Sequence, residues 1–334
     1  MNYDAILWVS FGGPEKEEDV IPFLENVLRG RNVPRERMMA VANHYYHFGG
    51  RSPINQQNRE LIRALEAELA AHGPRLPVYW GNRNWHPLLT DAVAKMRADG
   101  VKRALAFATA AYSSYSSCRQ YLENIENAQT AAGDGAPVID KVRPFYNHPG
   151  YIAAMTAQVQ DALEQIPPAR RSAAHIVYTA HSIPLRMAEN CQYAQQLLEA
   201  SRLVSAALGR SGDPLVYQSR SGPPTQPWLG PDILEHLRMI NNEGQVSDVA
   251  VVPIGFVSDH LEVLYDLDTE ARHLSEELGM NMVRAAAVGT NPGFARLVRD
   301  LIVERMEEKS ARPSMGSLGP WPDVCHAGCC LPPP

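Results

Sequence analysis

Short apolar runs alternate with amphipathic helical segments along almost the whole chain. The apolar runs are rich in β-branched and aromatic residues, as strands are, and the segments between them repeat apolar residues with a helical period. The runs lie at residues 5–10, 78–82, 103–111, 138–145, 175–180, 215–218, 249–254 and 282–288, with helical patterns that include 17–28, 58–71, 88–99, 151–165, 191–208, 233–241 and 292–305. This alternation predicts an α/β protein with parallel sheets and helices on both faces of each sheet.

The two halves of the chain are similar at their first strands. Ser10-Phe11-Gly12-Gly13-Pro14 follows the first strand, and Ala180-His181-Ser182-Ile183-Pro184 follows the first strand of the second half. This match favours two similar doubly wound, Rossmann-like domains that flank a cleft, with Phe11 as the counterpart of His181. We predict domains at 1–148 and 149–308, followed by a tail at 309–334 that is rich in proline and glycine.

The composition argues against several classes of protein. The 334 residues carry a formal net charge of −6 without a basic block, which argues against nucleic-acid binding. No apolar run approaches the roughly 18 residues of a membrane span, and residues 1–10 lack the positive region of a signal peptide. Five cysteines do not make a disulfide framework in a chain of this size. We therefore expect a cytoplasmic protein, and we expect a monomer.

His181 is the first candidate functional residue. It comes directly after the buried strand at 175–180 and before the turn that Pro184 closes. Open α/β sheets bind their ligands at the carboxyl ends of the strands, which is where this histidine is predicted to lie. The alternative is a histidine that only hydrogen-bonds its own turn.

An acidic stripe follows the strand at 249–254. Glu262, Asp266 and Glu270 are spaced four residues apart, so on a helix they share one face. Like charges at this spacing destabilise a helix slightly, which suggests a function such as a path for a divalent cation that leads to Glu262. The alternative is a solvated acidic face.

These segments together resemble the signature blocks of the ferrochelatase family. The blocks are Ala180 to Pro184, Pro227-Trp228-Leu229-Gly230-Pro231 and the run from Phe256 to Asp266, in order and at family spacing. The stretches Ser10 to Pro14 and Phe48 to Asn55 look most like the actinobacterial type. The resemblance implies an enzyme with the class II chelatase fold that inserts Fe²⁺ into a porphyrin in haem biosynthesis, with coproporphyrin III as the expected substrate.

The resemblance also implies roles for individual residues. His181 and Glu262 would bind the metal and remove the pyrrole protons, chemistry that an imidazole and a carboxylate support, and Asp266 and Glu270 would carry metal or protons. Residues expected to contact the porphyrin or its propionates are Ser52, Tyr121, Phe11, Arg29, Arg31 and Arg51. Ser52 and Tyr121 could equally be a turn serine and a packed tyrosine, and loop arginines are often merely exposed. Phe11 cannot ligate iron, although some bacterial relatives carry a tyrosine there.

The cysteines form a second group of candidate residues. Cys325, Cys329 and Cys330 lie in the tail, and Cys118 lies in a loop of the first half. Together they provide the four thiolates of a 2Fe–2S cluster, and several ferrochelatases have this arrangement of one distant and three C-terminal cysteines. The adjacent pair Cys329 and Cys330 departs from the family and requires an unusual backbone, so His326 could replace one ligand or the site could hold zinc. Cys191 is left over as a packed or surface thiol.

Two other functions stay open at this point. One is a chelatase for another metal or for protoporphyrin IX, which shares the fold and the acidic stripe. The other is a haem or porphyrin carrier without catalytic activity, against which the presence of both His181 and Glu262 argues.

Overall fold

The computed structural model describes residues 1–30, 33–222, 225–244, 246–307 and 312–332. Two four-stranded parallel sheets form its framework. The first contains β1 (Ala5–Ser10), β2 (Val78–Asn82), β3 (Arg103–Ala108) and β4 (Val138–Lys141), and the second contains β5 (His175–His181), β6 (Leu215–Gln218), β7 (Asp248–Val252) and β8 (Asn281–Arg284). The predicted α/β fold with parallel sheets is confirmed.

The two sheets have equivalent topologies. Their strand orders are β2-β1-β3-β4 and β6-β5-β7-β8, so the first strand of each half occupies the same inner position. Phe11 follows β1 directly, and His181 is the last residue of β5. The two residues therefore occupy corresponding strand ends, as the match between the two turns predicts.

Helices connect the strands in both halves. In the first half they are α1 (Val20–Val27), α2 (Arg35–His47), α3 (Ile54–His72), α4 (Leu89–Ala98) and α5 (Gln120–Ala132). The second half contains α6 (Pro149–Glu164), α7 (Pro168–Arg171), α8 (Leu185–Ala188), α9 (Tyr193–Ala207), α10 (Ile233–Asn242), α11 (Leu261–Val263), α12 (Arg272–Glu277) and α13 (Gly293–Glu307). Wider π-helical turns occupy Tyr115–Arg119 and Leu264–Ala271, and 3₁₀ turns occupy Glu17–Asp19 and Val288–Thr290.

Helix α2 extends into the aromatic and glycine-rich stretch from Tyr45 to Pro53, whose composition by itself predicts a loop. The helix continues to His47 because Met38, Ala42 and Tyr45 form a buried face at helical spacing. Tyr45 packs on Phe23 of α1, with ring centroids 5.7 Å apart. The aromatic residues that look like a loop are thus the last turn of a packed helix.

Four predicted strands are longer than the observed ones. The apolar run at 138–145, for example, forms a strand only as far as Lys141. Val142 and Phe145 continue as irregular chain buried in the core. Burial keeps these residues apolar although the sheet has already ended, so the apolar pattern overestimates the strand length.

A continuous hydrophobic core links the two halves. It includes Trp8 and Phe107 of the first sheet and Tyr178 and Val252 of the second. Helix α13 packs against both α3 and α6, so it contacts an element of each half. The domain boundaries at 148 and 308 stay a prediction. Within the described ranges, no helix is both long enough and apolar enough to cross a membrane.

Candidate active site and thiol cluster

His181 ends β5 with its imidazole oriented by its own turn. Its Nδ1 contacts the backbone carbonyl of Ser182, which only accepts hydrogen bonds, so Nδ1 carries the proton. In the neutral imidazole this leaves the lone pair of Nε2 available for a metal ion or a proton. The hydrogen bond within the turn therefore orients the ring for chemistry at the other nitrogen.

Glu262 meets His181 at the carboxyl ends of two neighbouring strands. Its Oε2 lies 3.5 Å from Nε2 of His181, and the two side chains keep 46% and 34% of their surfaces exposed. Gly255 contributes to this approach, because a Cβ atom there would lie 2.6 Å from the Cβ of Ala180. The chain after β7 thus passes close to the end of β5 before it enters α11.

Asp266 is the most buried member of the acidic stripe. Its carboxylate accepts hydrogen bonds from Ser219 Oγ and Gln218 Nε2, both at the end of β6. Burial, together with the charges of Glu262 and Glu270, raises the pKa of Asp266 to about 7. Glu262 and Glu270 therefore act on Asp266, which changes its protonation state near neutral pH.

Helix α2 faces this acidic helix from the first half. The ring of His44 stacks on that of Tyr265, with centroids 3.6 Å apart and planes 7° from parallel. Burial lowers the pKa of His44, and the nearby Glu262 carboxylate opposes this effect. His260, which precedes α11, also has its pKa lowered by burial and interacts with both His181 and Glu262. Neither histidine is among the residues predicted from the sequence, because the pattern around them does not indicate that they approach Glu262.

Arg83 connects two of the expected porphyrin contacts. Its guanidinium lies 4.6 Å from the ring centroid of Tyr121 and 5.7 Å from that of Phe11. Its Nε donates to Asn124, and its Nη1 donates to the carbonyl of Ser116. Arg83 follows β2 directly, so the rule that ligand residues follow parallel strands is the signal that could have identified it.

The other expected porphyrin contacts differ in exposure. Phe11 is 37% exposed, whereas Tyr121 and Ser52 are buried. Ser52 donates its backbone N–H to the carbonyl of Pro14, which places it beside the turn that follows β1. Arg29 and Arg51 are exposed. Arg31 lies outside the described residues.

The four expected cluster cysteines come together in the structure. The Sγ atoms of Cys329 and Cys330 are 3.5 Å apart. The thiols of Cys118 and Cys325 interact, which raises the pKa of Cys118 and lowers that of Cys325. Cys330 has a φ of 52°, in the left-handed region that disfavours side chains, which is the unusual backbone expected for an adjacent pair. Cys191 also interacts with the Cys329 thiol.

Neither group of residues surrounds a single metal ion. Among the residues that the structure describes, no three His, Cys, Asp or Glu side chains converge as the ligands of one ion do. At the His181 and Glu262 site, two atoms that could bind a metal face each other. The four cysteine thiols interact with one another: Cys325 interacts with Cys118 and Cys329, and Cys330 interacts with Cys329 and Cys118.

Solved structures of metal chelatases share this fold. SirB from Bacillus subtilis, solved with Fe³⁺, aligns with a TM-score of 0.59 at 11% sequence identity, over 92% of this chain and 98% of SirB. A sirohydrochlorin chelatase SirB from Bacillus subtilis subspecies spizizenii in complex with cobalt gives a TM-score of 0.54 at 11% identity, with the same coverage. At these identities the likeness concerns the fold, and the predicted class II chelatase fold is confirmed.

Sequence similarity then identifies the family. The ferrochelatase family model matches residues 3–306. A ferrochelatase of Rhodopirellula baltica is 54% identical over 98% of this chain and 93% of its own length. Proteins named coproporphyrin III ferrochelatase from Streptomyces griseus and Nocardia farcinica are each 49% identical, over 98% and 99% of this chain and 93% and 97% of their own lengths. The chain belongs to the ferrochelatase family, and the predicted activity, insertion of iron into a porphyrin, is confirmed at that level.

Proposed function

We propose that this protein inserts Fe²⁺ into coproporphyrin III, with His181 and Glu262 as the catalytic pair. The observation that carries the proposal is the 3.5 Å separation of His181 Nε2 and Glu262 Oε2. The names of the relatives from Streptomyces griseus and Nocardia farcinica support the choice of porphyrin.

The pair is suited to hold a transition-metal ion briefly. Two ligand atoms about 2.1 Å from one tetrahedral ion lie about 3.4 Å apart, close to the spacing of the two side chains. Two protein ligands leave the remaining positions to water and to the porphyrin nitrogens. Iron that must move on to the macrocycle needs such an incomplete site.

Insertion also releases two protons from the pyrrole nitrogens. His181 Nε2 has a free lone pair and is the proposed first acceptor. Asp266, with a pKa near 7, is matched to exchange protons at neutral pH, and the exposed Glu270 leads towards solvent. We propose that the acidic stripe carries protons out of the site and metal into it.

The first half supplies the proposed surface for the porphyrin. Phe11 offers a partly exposed aromatic ring but no ligand atom, so it packs against the macrocycle and leaves the iron uncoordinated on that side. Arg83, held against Tyr121, adds a guanidinium that suits a carboxylate. The proposed set of contacts is Phe11, Ser52, Tyr121, Arg83, Arg29 and Arg51.

We further propose that Cys118, Cys325, Cys329 and Cys330 bind a 2Fe–2S cluster. Two thiolates on one tetrahedral iron, with bonds of about 2.3 Å, lie about 3.7 Å apart, similar to the Cys329–Cys330 spacing. A 2Fe–2S cluster has two iron atoms, each bound by two thiolates. The protein therefore has to provide two pairs of cysteine thiolates, and three ligands around a single point are not required. When bound, it would join the tail to the first half through iron–thiolate bonds, a structural or sensory role.

The experiment that tests the activity is anaerobic Fe²⁺ insertion with coproporphyrin III and protoporphyrin IX side by side. We expect a higher kcat/KM for coproporphyrin III, and Co²⁺ as competitor should not replace Fe²⁺ as the preferred metal. A preference for protoporphyrin IX or for Co²⁺ would support the alternative chelatase. Tight porphyrin binding without turnover would support the carrier. A monomeric, cytoplasmic enzyme stays our prediction.

A further inference from the structure

The C-terminal tail has a docking site that does not involve its cysteines. Glu199 on α9 is 9% exposed, and its Oε1 accepts three hydrogen bonds from two tail residues. The donors are the backbone N–H of Ser317 at 2.6 Å, the hydroxyl of Ser317 at 3.0 Å and the backbone N–H of Leu318 at 2.9 Å. Hydrogen bonds to a buried carboxylate are stronger than those between neutral groups.

The turn before these donors is shaped to fit the carboxylate. Gly316 has a φ of 80°, and a Cβ atom there would lie 2.5 Å from Cδ of Glu199. A side chain at this position would therefore displace the carboxylate that the next two residues bind. Gly319 has a similar φ of 69°, but its added Cβ atom would meet nothing within 4 Å.

The same turn is also held from the other half of the molecule. The buried Asn147 accepts the N–H of Met315 through its backbone carbonyl at 2.8 Å. Its side-chain amide donates to the carbonyl of Gly319 at 2.8 Å. Glu199 and Asn147 thus hold residues 315–319 from both sides.

Further anchors lie on either side of Cys325. Asp323 pairs with Arg312 at 2.6 Å and with Arg305 at 3.8 Å. Arg119 donates to the carbonyl of Ala327 at 3.0 Å, next in sequence to Cys118. Cys325 is therefore placed by polar contacts that do not require any thiol.

We propose that Glu199 is a positioning residue that docks the tail and holds its three cysteines opposite Cys118, with or without a cluster. The second part of this inference rests on the proposed 2Fe–2S cluster, whereas the docking itself does not. Two different groups therefore dock the tail and bind the iron: the Glu199 carboxylate fixes the tail, and the cysteine thiols bind the iron. Loss of the cluster then leaves the tail in place.

The test combines hydrogen exchange with iron and sulfide analysis on the full-length protein. Exchange of the Ser317 and Leu318 amides reports directly on the bonds to Glu199. Gly316→Ala and Gly319→Ala are a matched pair, because each adds a methyl group to a residue with a left-handed backbone. Cys118→Ser is the variant that removes a proposed cluster ligand. Gly316→Ala changes only the tail, and Glu199→Gln, which keeps an acceptor oxygen without the charge, gives a second measure of the same contact.

We expect Cys118→Ser to lose iron and sulfide but to keep the slow exchange of the wild type. Gly316→Ala should exchange at least about tenfold faster and bind less cluster, since it breaks several charge-assisted bonds. Glu199→Gln should lie between. Gly319→Ala adds the same backbone strain without a clash, so its amides should exchange more slowly than those of Gly316→Ala. Fast exchange in Cys118→Ser, or wild-type exchange in Gly316→Ala, would overturn the docking role of Glu199. A wild type without iron and sulfide would refute the cluster while the exchange data still decide the docking role.

Discussion

Ser219 donates a hydrogen bond to the carboxylate of Asp266 from a backbone with a φ of 62°. This left-handed conformation is uncommon for a serine, and it occurs directly after β6, at the same sheet edge as His181. Ser219 therefore holds a buried carboxylate whose pKa is about 7 beside the proposed catalytic pair.

The raised pKa of Asp266 predicts a pH-dependent rate. Below about pH 7 the carboxyl is protonated and accepts no proton, so iron insertion should slow as the pH falls through this value. Asp266→Asn should lower the rate above pH 7 and remove this step from the profile. Initial rates from about pH 6 to about pH 8.5 measure both effects. A step that persists in Asp266→Asn would assign it to another group.

The same residue predicts a trade-off with stability. The pKa of Asp266 is about 7 in the folded protein and 3.8 in the unfolded chain. Between these two pH values the folded state binds more protons than the unfolded state, so the protein loses stability as the pH rises through 7. Asp266→Asn, which stays neutral, should therefore raise the free energy of unfolding at about pH 8 by about 2 kcal/mol. Denaturant unfolding at about pH 8 and about pH 4 checks the sign, since the gain should shrink at the lower pH. An equal effect at both values would contradict the assignment.

The cysteine variants should separate cluster ligands from bystanders. Cys118→Ser should abolish visible absorbance above about 400 nm and lower the thermal midpoint, because iron–thiolate centres absorb in this region. Cys191→Ser is the matched control and should keep the absorbance, since its thiol donates to the carbonyl of Met187 at 3.3 Å. Unchanged absorbance in Cys118→Ser would remove it from the ligand set.

A buried ion pair connects the end of β4 to α13 and the tail. Arg143 binds Glu304 through two hydrogen bonds of 2.7 and 3.1 Å and donates to the carbonyl of Pro313 at 2.9 Å. Arg143→Leu leaves the Glu304 carboxylate buried without its partner, so it should cost about 3–5 kcal/mol of stability. The double variant with Glu304→Leu should cost less than Arg143→Leu alone, as denaturant unfolding can measure. If the double variant loses as much stability as the two single variants lose together, this explanation is contradicted.

Buried histidines should make the protein sensitive to acid. Burial lowers the pKa of His236, which lies 2.9 Å from His175 between Nε2 atoms, to about 4. In the unfolded chain His236 has its ordinary pKa of 6.5, so between about pH 6.5 and about pH 4 the unfolded state binds more protons than the folded state. The free energy of unfolding should therefore fall as the pH drops through this range. His236→Gln should reduce this loss by about 1–2 kcal/mol, whereas the exposed His72→Gln should not. Equal acid sensitivity in both variants would refute the role of His236.

The fold and the proximity of His181 and Glu262 follow from patterns that sequence reasoning handles well. Strand–helix alternation defines parallel sheets, and the carboxyl ends of such strands lie at one edge. Because β5 and β7 are neighbours, His181 at the end of β5 and Glu262 in the segment after β7 are expected to meet. This expectation needs no knowledge of side-chain packing.

Other parts of the site depend on contacts without a periodic signal. Helix α2 ends in residues that look like a loop, so the stacking of His44 on Tyr265 across the two halves is missed. The tail has no helical or strand pattern, and Glu199 binds it mainly through backbone N–H groups, which any sequence provides. Such contacts become visible only when the fold brings distant segments together.

The most direct test of the account is anaerobic iron insertion into coproporphyrin III by His181→Ala and Glu262→Gln. His273→Ala is the matched control, because His273 is exposed and pairs only with Glu277 on its own helical turn in the described contacts. We predict that His181→Ala and Glu262→Gln still bind the porphyrin but insert iron at least about 100-fold more slowly, whereas His273→Ala keeps the wild-type rate. Wild-type turnover by His181→Ala would contradict the central claim.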